Sequence, residues 1–201
     1  MHIFAEIYSH FIELLRAPLN LRFSTGPQNL TSFYCDLEVN NRGFYRDEIL
    51  KRTNAELENA HRDSHTYIQW LFPLRTPSRF NATAPLLDDA TVRAFHNNLL
   101  LKENLLVSFC RMLRFYGLEM NEETTQITRA PNFEERFSIW LRWENHNFSR
   151  ISRIIGSMKI LGFPAYSEAF FVIMRDIREN EGRGIINDKN LDHWDKARNL
   201  T

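Results

Sequence analysis

Residues 88–117, DDATVRAFHNNLLLKENLLVSFCRMLRFYG, decide the fold class. Val92, Phe95, Leu99, Leu106, Phe109, Leu113 and Tyr116 recur at steps of three, four or seven, the spacing of one apolar face of an α-helix. Asp88 or Asp89, placed after Pro85, can cap the first free amides, and Gly117 stands where a left-handed residue commonly closes a helix. The stretch predicts one helix of about seven turns. Working back, Tyr67-Ile68-Gln69-Trp70-Leu71-Phe72-Pro73-Leu74 is a compact apolar block ended by Pro73, suited to plugging a core. Residues 44 to about 65 are rich in Glu, Arg, Lys and Ala and read as helical. Before them lie the turn Asn40-Asn41-Arg42-Gly43 and a short apolar segment around Leu30, Phe33, Tyr34 and Leu37. Ile3, Phe4, Ile7, Tyr8, Phe11, Leu14 and Leu15 form an amphipathic helix stopped by Pro18.

Working forward, Asn132 precedes Glu135 by three, a capping-box spacing ahead of Phe133, Phe137, Trp140 and Leu141. Phe148, Ile151, Ile155 and Met158 trace a further helix that ends near Gly162 and Pro164. Another runs through Tyr166, Phe170, Ile173, Met174 and Ile177 until Gly182 and Gly184 stop it. Leu191 and Trp194 suggest a short docking helix in the tail. No segment sustains a two-residue alternation and no Asn-Gly or Asp-Gly hairpin signal intervenes. The expectation is an all-α, single compact domain of about six or seven helices.

The composition agrees with one domain. The chain has 201 residues with 43% hydrophobic and 13% aromatic side chains, enough for one sizeable core and too much for disorder. Lys+Arg 25 balance Asp+Glu 25, so no global field draws the protein to nucleic acid or anionic lipid. Its 2 cysteines, Cys35 and Cys110, make neither a disulfide framework nor a metal knuckle and fit a reducing compartment. No apolar run approaches the roughly 18 residues of a membrane span, and Glu6 breaks the start of any secretory signal. A soluble, intracellular protein of cytoplasm or nucleus is expected.

Phosphate-cradling glycine loops, Cys-x-x-Cys pairs, His-Glu-x-x-His and Gly-x-Ser-x-Gly are all absent. His61 and His65 stand four apart around Asp63, yet zinc would need a third ligand from elsewhere. No metal and no cofactor is expected. Arginine is the telling residue, 20 against 5 lysines, because guanidinium groups pair bidentately with carboxylates and phosphates and tolerate burial. With His146 at zero on a helical wheel, Arg150 falls near about 40°, Arg153 near about −20° and Ser157 near about 20°. These four share a polar stripe away from the apolar face. With Arg136 of the preceding helix, the stripe either receives a phosphate or acidic peptide, or is a solvated, ion-paired face; the latter is the simpler expectation. Asn147, at the border of the apolar face, must pair its amide if buried. Trp70, Trp140 and Trp143 line a groove or fill the core, the commoner use of aromatics at helical spacing.

Tyr67-Ile68-Gln69-Trp70-Leu71-Phe72-Pro73-Leu74-Arg75 resembles the conserved region of the opioid growth factor receptor family. Further landmarks of that family appear in order: Arg111-Met112-Leu113-Arg114-Phe115-Tyr116-Gly117, Asn132-Phe133-Glu134-Glu135-Arg136-Phe137, His146-Asn147 with Arg150-Ile151-Ser152-Arg153-Ile154, and Phe170-Phe171-Val172-Ile173-Met174-Arg175-Asp176. The resemblance divides the chain into an N-terminal helix and loop at 1–28, the conserved domain at 29–180 and a tail at 181–201. It implies a non-enzymatic module recognising an enkephalin-type peptide, with nuclear and peripheral membrane association. Trp70, Arg75, Arg136, His146, Asn147, Arg150 and Arg153 are the candidate ligand-binding residues. The partner expected is a peptide or protein, or an anionic small molecule. Two other readings stay open: an enzyme acting on a phosphate-bearing substrate with His146 as acid/base, and a scaffold whose arginine pairs only fix helix packing.

Overall fold

The computed structural model describes residues 29–59, 66–78, 81–121, 123–142 and 146–201. The expected helix over Ile3–Leu15, the His61/Asp63/His65 group and Trp143 lie outside these. Among the described residues there are ten helices and one small antiparallel hairpin, a mostly helical domain as the periodicities indicate. The helices are α1 (Leu30–Tyr34), α2 (Arg46–Lys51), α3 (Asn54–Asn59), α4 (Thr66–Leu71), α5 (Asp89–Asn97) and α6 (Leu99–Tyr116). After strands β1 (Leu118–Met120) and β2 (Ile127–Arg129) follow α7 (Phe133–Trp140), α8 (Asn147–Ile160), α9 (Pro164–Asn180) and α10 (Asp188–Arg198).

The helix expected over seven turns is two. Asn98 adopts φ −116°, ψ 115° and its side chain accepts from Leu101 N, so one amide both ends α5 and caps α6. The turn leaves Leu99 65% exposed, outside the apolar face assigned to it. Asp88 caps α5 by accepting from Thr91 N at 2.7 Å, and Gly117 closes α6 at φ +76°. Residues 44–65 likewise divide: Thr53 Oγ1 accepts from Glu56 N at 3.2 Å while Glu56 accepts from Thr53 N at 2.6 Å, starting a new helix. The capping box expected at Asn132 does not form, because Asn132 has φ −96°, ψ 17° rather than the extended conformation that aims a cap side chain. The hairpin was not expected. It pairs Leu118 with Arg129 and Met120 with Ile127, and three residues per strand are too few to register as alternation.

Two helices organise the core. Helix α6 packs against α1, α5, α7 and β1, and α8 packs against α4, α9 and α10. Edge-to-face aromatic pairs of Phe109 stitch the two groups, with Phe170 at 5.6 Å and with Tyr166 at 6.3 Å between centroids, and Tyr116 packs on Trp140 within the first at 5.2 Å. The tail helix docks as its two apolar residues suggest, with Trp194 fully buried and its Nε1–H donating to Phe148 O at 2.9 Å. Burying that ring contributes roughly 2–3 kcal/mol, which fixes α10 across the start of α8. The hairpin is tied down by Arg129, which donates to Glu181 at 2.8 Å and to Asp176 at 2.6 Å.

Candidate functional site: a buried arginine centre

The polar stripe of α8 is interior. Helix α8 is covered by α4, α9 and α10 and leaves only Ser149 fully exposed, so the expected solvated stripe is overturned for Arg150 and Ser157, and for Arg136 beside it, while Asn147 is buried and paired as its place at the apolar border requires. Arg150 is 2% exposed and Asn147 0%. Buried polar groups must find partners, and Asn147 finds two. Its Nδ2 donates to both carboxylate oxygens of Glu58 at 3.3 Å, and its Oδ1 accepts from Arg150 Nη1 at 3.0 Å. The amide thus connects a carboxylate on α3 to a guanidinium one turn along α8. Above the guanidinium lies the Tyr67 ring, 5.3 Å from Arg150 Cζ to its centroid, a cation–π contact in a dry setting.

Arg136 enters from α7. It is 5% exposed, its Nε–H donates to Phe115 O at 2.9 Å and its guanidinium stacks on the Phe115 ring at 5.3 Å. Burial holds its pKa below the ordinary arginine range, and the Glu58 carboxylate acts against that shift. Glu58 therefore faces Arg136 as well as Asn147. Tyr116, on α6, completes the group. Its phenol is buried and held well above the usual tyrosine range by desolvation, with Arg150 opposing the shift and Tyr67 and Glu58 adding to it. Four donors in this centre meet no acceptor among the described residues: Arg136 Nη2, Arg150 Nε, Arg150 Nη2 and Tyr116 Oη.

Arg111 is the contrasting case. From α6 its Nε, Nη1 and Nη2 reach Leu50 O at 3.2 Å, Asn54 Oδ1 at 2.9 Å and Arg52 O at 2.7 Å, so its fork is closed by neutral acceptors. Burial first, and then Arg114 and Arg136 nearby, lower its pKa. It ties the α2–α3 junction to the core.

The other expected residues lie apart from this centre. Trp70 is 3% exposed, packs on Phe33 at 5.0 Å and donates Nε1–H to Asn41 at 3.2 Å, which makes it a core residue. Trp140 is also core, donating to Tyr116 O at 3.1 Å. Arg75 is at the surface in an ion pair with Asp89 at 2.7 Å. Arg153 is half-buried, donates to Phe72 O at 3.2 Å, and burial pushes its pKa down to about 10. His146 is half-buried at the N-terminus of α8, where it makes no side-chain cap. Sequence reading missed Glu58 and Tyr116 as site residues. Glu58 is 89 positions from Asn147, beyond any local pattern, and Tyr116 falls on an apolar helical face. No group of three or more His, Cys, Asp or Glu among the described residues could hold a metal.

The family model for the opioid growth factor receptor (OGFr) conserved region matches residues 24–197. The chain belongs to the opioid growth factor receptor family. It is 33% identical over 149 residues to opioid growth factor receptor-like protein 1 of Xenopus tropicalis, which is 73% of this chain and 28% of that protein. Against the opioid growth factor receptor of Homo sapiens it is 36% identical over 140 residues, 64% of this chain and 20% of that protein. Against the Mus musculus opioid growth factor receptor-like protein 1 it is 29% identical over 163 residues, 80% of this chain and 34% of that protein. The chain thus spans about a third or less of the relatives it matches. No solved structure matches it.

Among the described residues no helix is long and apolar enough to cross a membrane.

Proposed function

We propose that this family domain is a recognition module that takes an anionic group of a peptide ligand at the Arg136/Arg150 centre, with Asn147 and His146 at its edge. One observation carries the reading: two buried guanidiniums from adjacent helices keep N–H donors without acceptors among the described residues, although the carboxylates of half-buried Glu58 and exposed Glu135 act on Arg136. Each unmet buried donor costs about 1–3 kcal/mol, a cost an incoming anion would relieve. The names of the relatives, receptors of opioid growth factor, supply the class of partner. Cys35 and Cys110 form no disulfide with one another, which supports recognition inside the cell. A scaffold role accounts for Arg111, whose donors are all closed internally, but leaves the open donors of Arg136 and Arg150 without a use.

Titration calorimetry of the full chain with opioid growth factor tests the reading. Saturable heat that Arg136→Gln weakens about tenfold supports it, the loss expected when a charge-assisted hydrogen bond is removed. Absence of heat with opioid growth factor and with acidic peptides overturns it.

A further inference from the structure

A guanidinium offers two kinds of contact, and Arg150 has committed only one. Its Nη1 is held by Asn147 Oδ1 at 3.0 Å, and Asn147 passes that contact on to Glu58. The side edge, Nε–H and Nη2–H, carries two parallel donors whose separation matches the two oxygens of one planar anion. Both are buried, and neither meets an acceptor among the described residues. The Tyr116 hydroxyl, buried in the same centre, is open as well.

We propose that the Nε/Nη2 edge of Arg150, with the Tyr116 hydroxyl as a third donor, is a carboxylate-binding fork. This rests on the reading of the centre as a recognition site and names the group it takes. Three comparisons within the molecule support the assignment. Arg111 and Arg46 show how buried arginines are otherwise held here, Arg111 with all three nitrogens of its guanidinium bonded and Arg46 with two left open but Nη2 ion-paired to Asp36 at 2.7 Å, whereas Arg150 has neither among the described residues. Glu58 does not fill the fork: its two oxygens accept from Asn147, and neither meets Arg150 Nε or Nη2. Desolvation then separates a carboxylate from a phosphate. Arg111, Arg136 and Arg150 are cationic against half-buried Glu58 and exposed Glu135, so the centre attracts an anion, and a phosphate dianion loses far more solvation than a carboxylate on entering a low-dielectric site.

The fork can be read directly from the Nε–H resonance of Arg150 in the ¹⁵N-labelled full chain, titrated with acetate, with acetamide as its neutral isostere, and with inorganic phosphate. A saturable shift with acetate alone is expected. N-acetylglycine and N-acetylaspartic acid amide then separate a main-chain carboxylate from a side-chain one, the tighter of the two naming the source. Arg150→Lys keeps the charge and loses the fork, so acetate affinity falls about tenfold. Tyr116→Phe removes an unpaired buried hydroxyl: acetate affinity falls about three- to tenfold while the Tm of the free protein stays level or rises. If Arg150→Lys fails to fold, the Tyr116→Phe pair of measurements decides. An Arg150 resonance that acetate leaves unmoved, or that acetamide or phosphate moves as much, overturns the proposal. So does a Tyr116→Phe protein with lowered Tm and unchanged affinity. Acetate at the fork with no response to opioid growth factor would overturn the peptide reading alone; growth factor binding undiminished in Arg150→Lys would overturn the fork alone.

Discussion

At the scale of single residues, what a side chain can do is set by how far burial and its neighbours oppose each other. Cys35, half-buried at the end of α1, has its thiol pushed up to about 11 by desolvation, and Asp36 adds to this while Arg46 acts against it. The nucleophile is the thiolate, so a pKa two units above the ordinary value leaves about a hundredth of the usual reactive fraction at pH 8. In a Cys110→Ser background, Cys35 should react with a disulfide reagent at pH 8 about 100-fold more slowly than a free cysteine, its rate rising until a midpoint near pH 11. A rate within a factor of ten of the free thiol would show that Arg46, not burial, governs the site. Arg150 and Arg111 make the same point for cations. Both are buried, yet one is satisfied throughout and the other along one side; buried Arg46 also keeps two open donors, but its third nitrogen is ion-paired to Asp36, a carboxylate contact that Arg150 lacks among the described residues.

At the scale of elements, the site depends on how α7 meets α6. Gly117 makes that meeting tight: it sits at φ +76°, and a Cβ there would stand 2.9 Å from Phe133 Cα and 2.9 Å from Arg136 Cβ. Backbone cannot yield as a side-chain tip can, and the left-handed conformation adds its own strain. Gly117→Ala should therefore cost about 2–3 kcal/mol in urea denaturation and weaken ligand binding through displacement of Arg136. Gly43→Ala, at φ +80° but with nothing within 4 Å, should cost only about 1 kcal/mol and leave binding alone. Equal losses at both positions would mean that strain, not the α6–α7 approach, is what matters. Helix C-termini of this kind are legible because glycine spacing is local. The division at Asn98 was written in the sequence too, as a cap residue inside an apolar run whose periodicity continues across it, and that at Thr53 is concealed by good helix formers on either side.

At the scale of the whole molecule, legibility ends where partners are distant in sequence. The arginine stripe of α8 was visible on a helical wheel; that it faces inward was not, since α4, α9 and α10 come from three other stretches of chain. Glu58 and Tyr116 could be recognised only once the fold placed them beside Arg150. Such assembly has a cost that can be measured in alkali. Tyr34, Tyr67 and Tyr116 are buried and their pKa values are raised by desolvation above the ordinary value near 10. For each, the folded pKa exceeds the unfolded one, so the stabilisation is complete below about pH 10 and is lost as the pH rises past it, when only the unfolded chain releases the proton. Arg153 works in the opposite sense: brought down to about 10, it sheds its buried charge in the folded state first, and stability gains from that point upward. With the Cys35 thiol, raised to about 11, four groups stand against one, a net loss of roughly 4 kcal/mol per pH unit between about pH 10 and 11, against a total of about 5–15 kcal/mol for a domain of this kind. Urea midpoints should accordingly hold steady from pH 7 to 9 and fall steeply between 10 and 11, with tyrosinate absorbance from these residues appearing together with the loss of helical circular dichroism. Arg153→Met should steepen the fall, because the opposing titration that reaches down to about pH 10 is gone. A midpoint that stays flat to pH 11, or tyrosinate that forms near pH 10 with the helices intact, would mean that these phenols reach water in the folded protein and that the centre around Arg150 is wetter than its packing indicates.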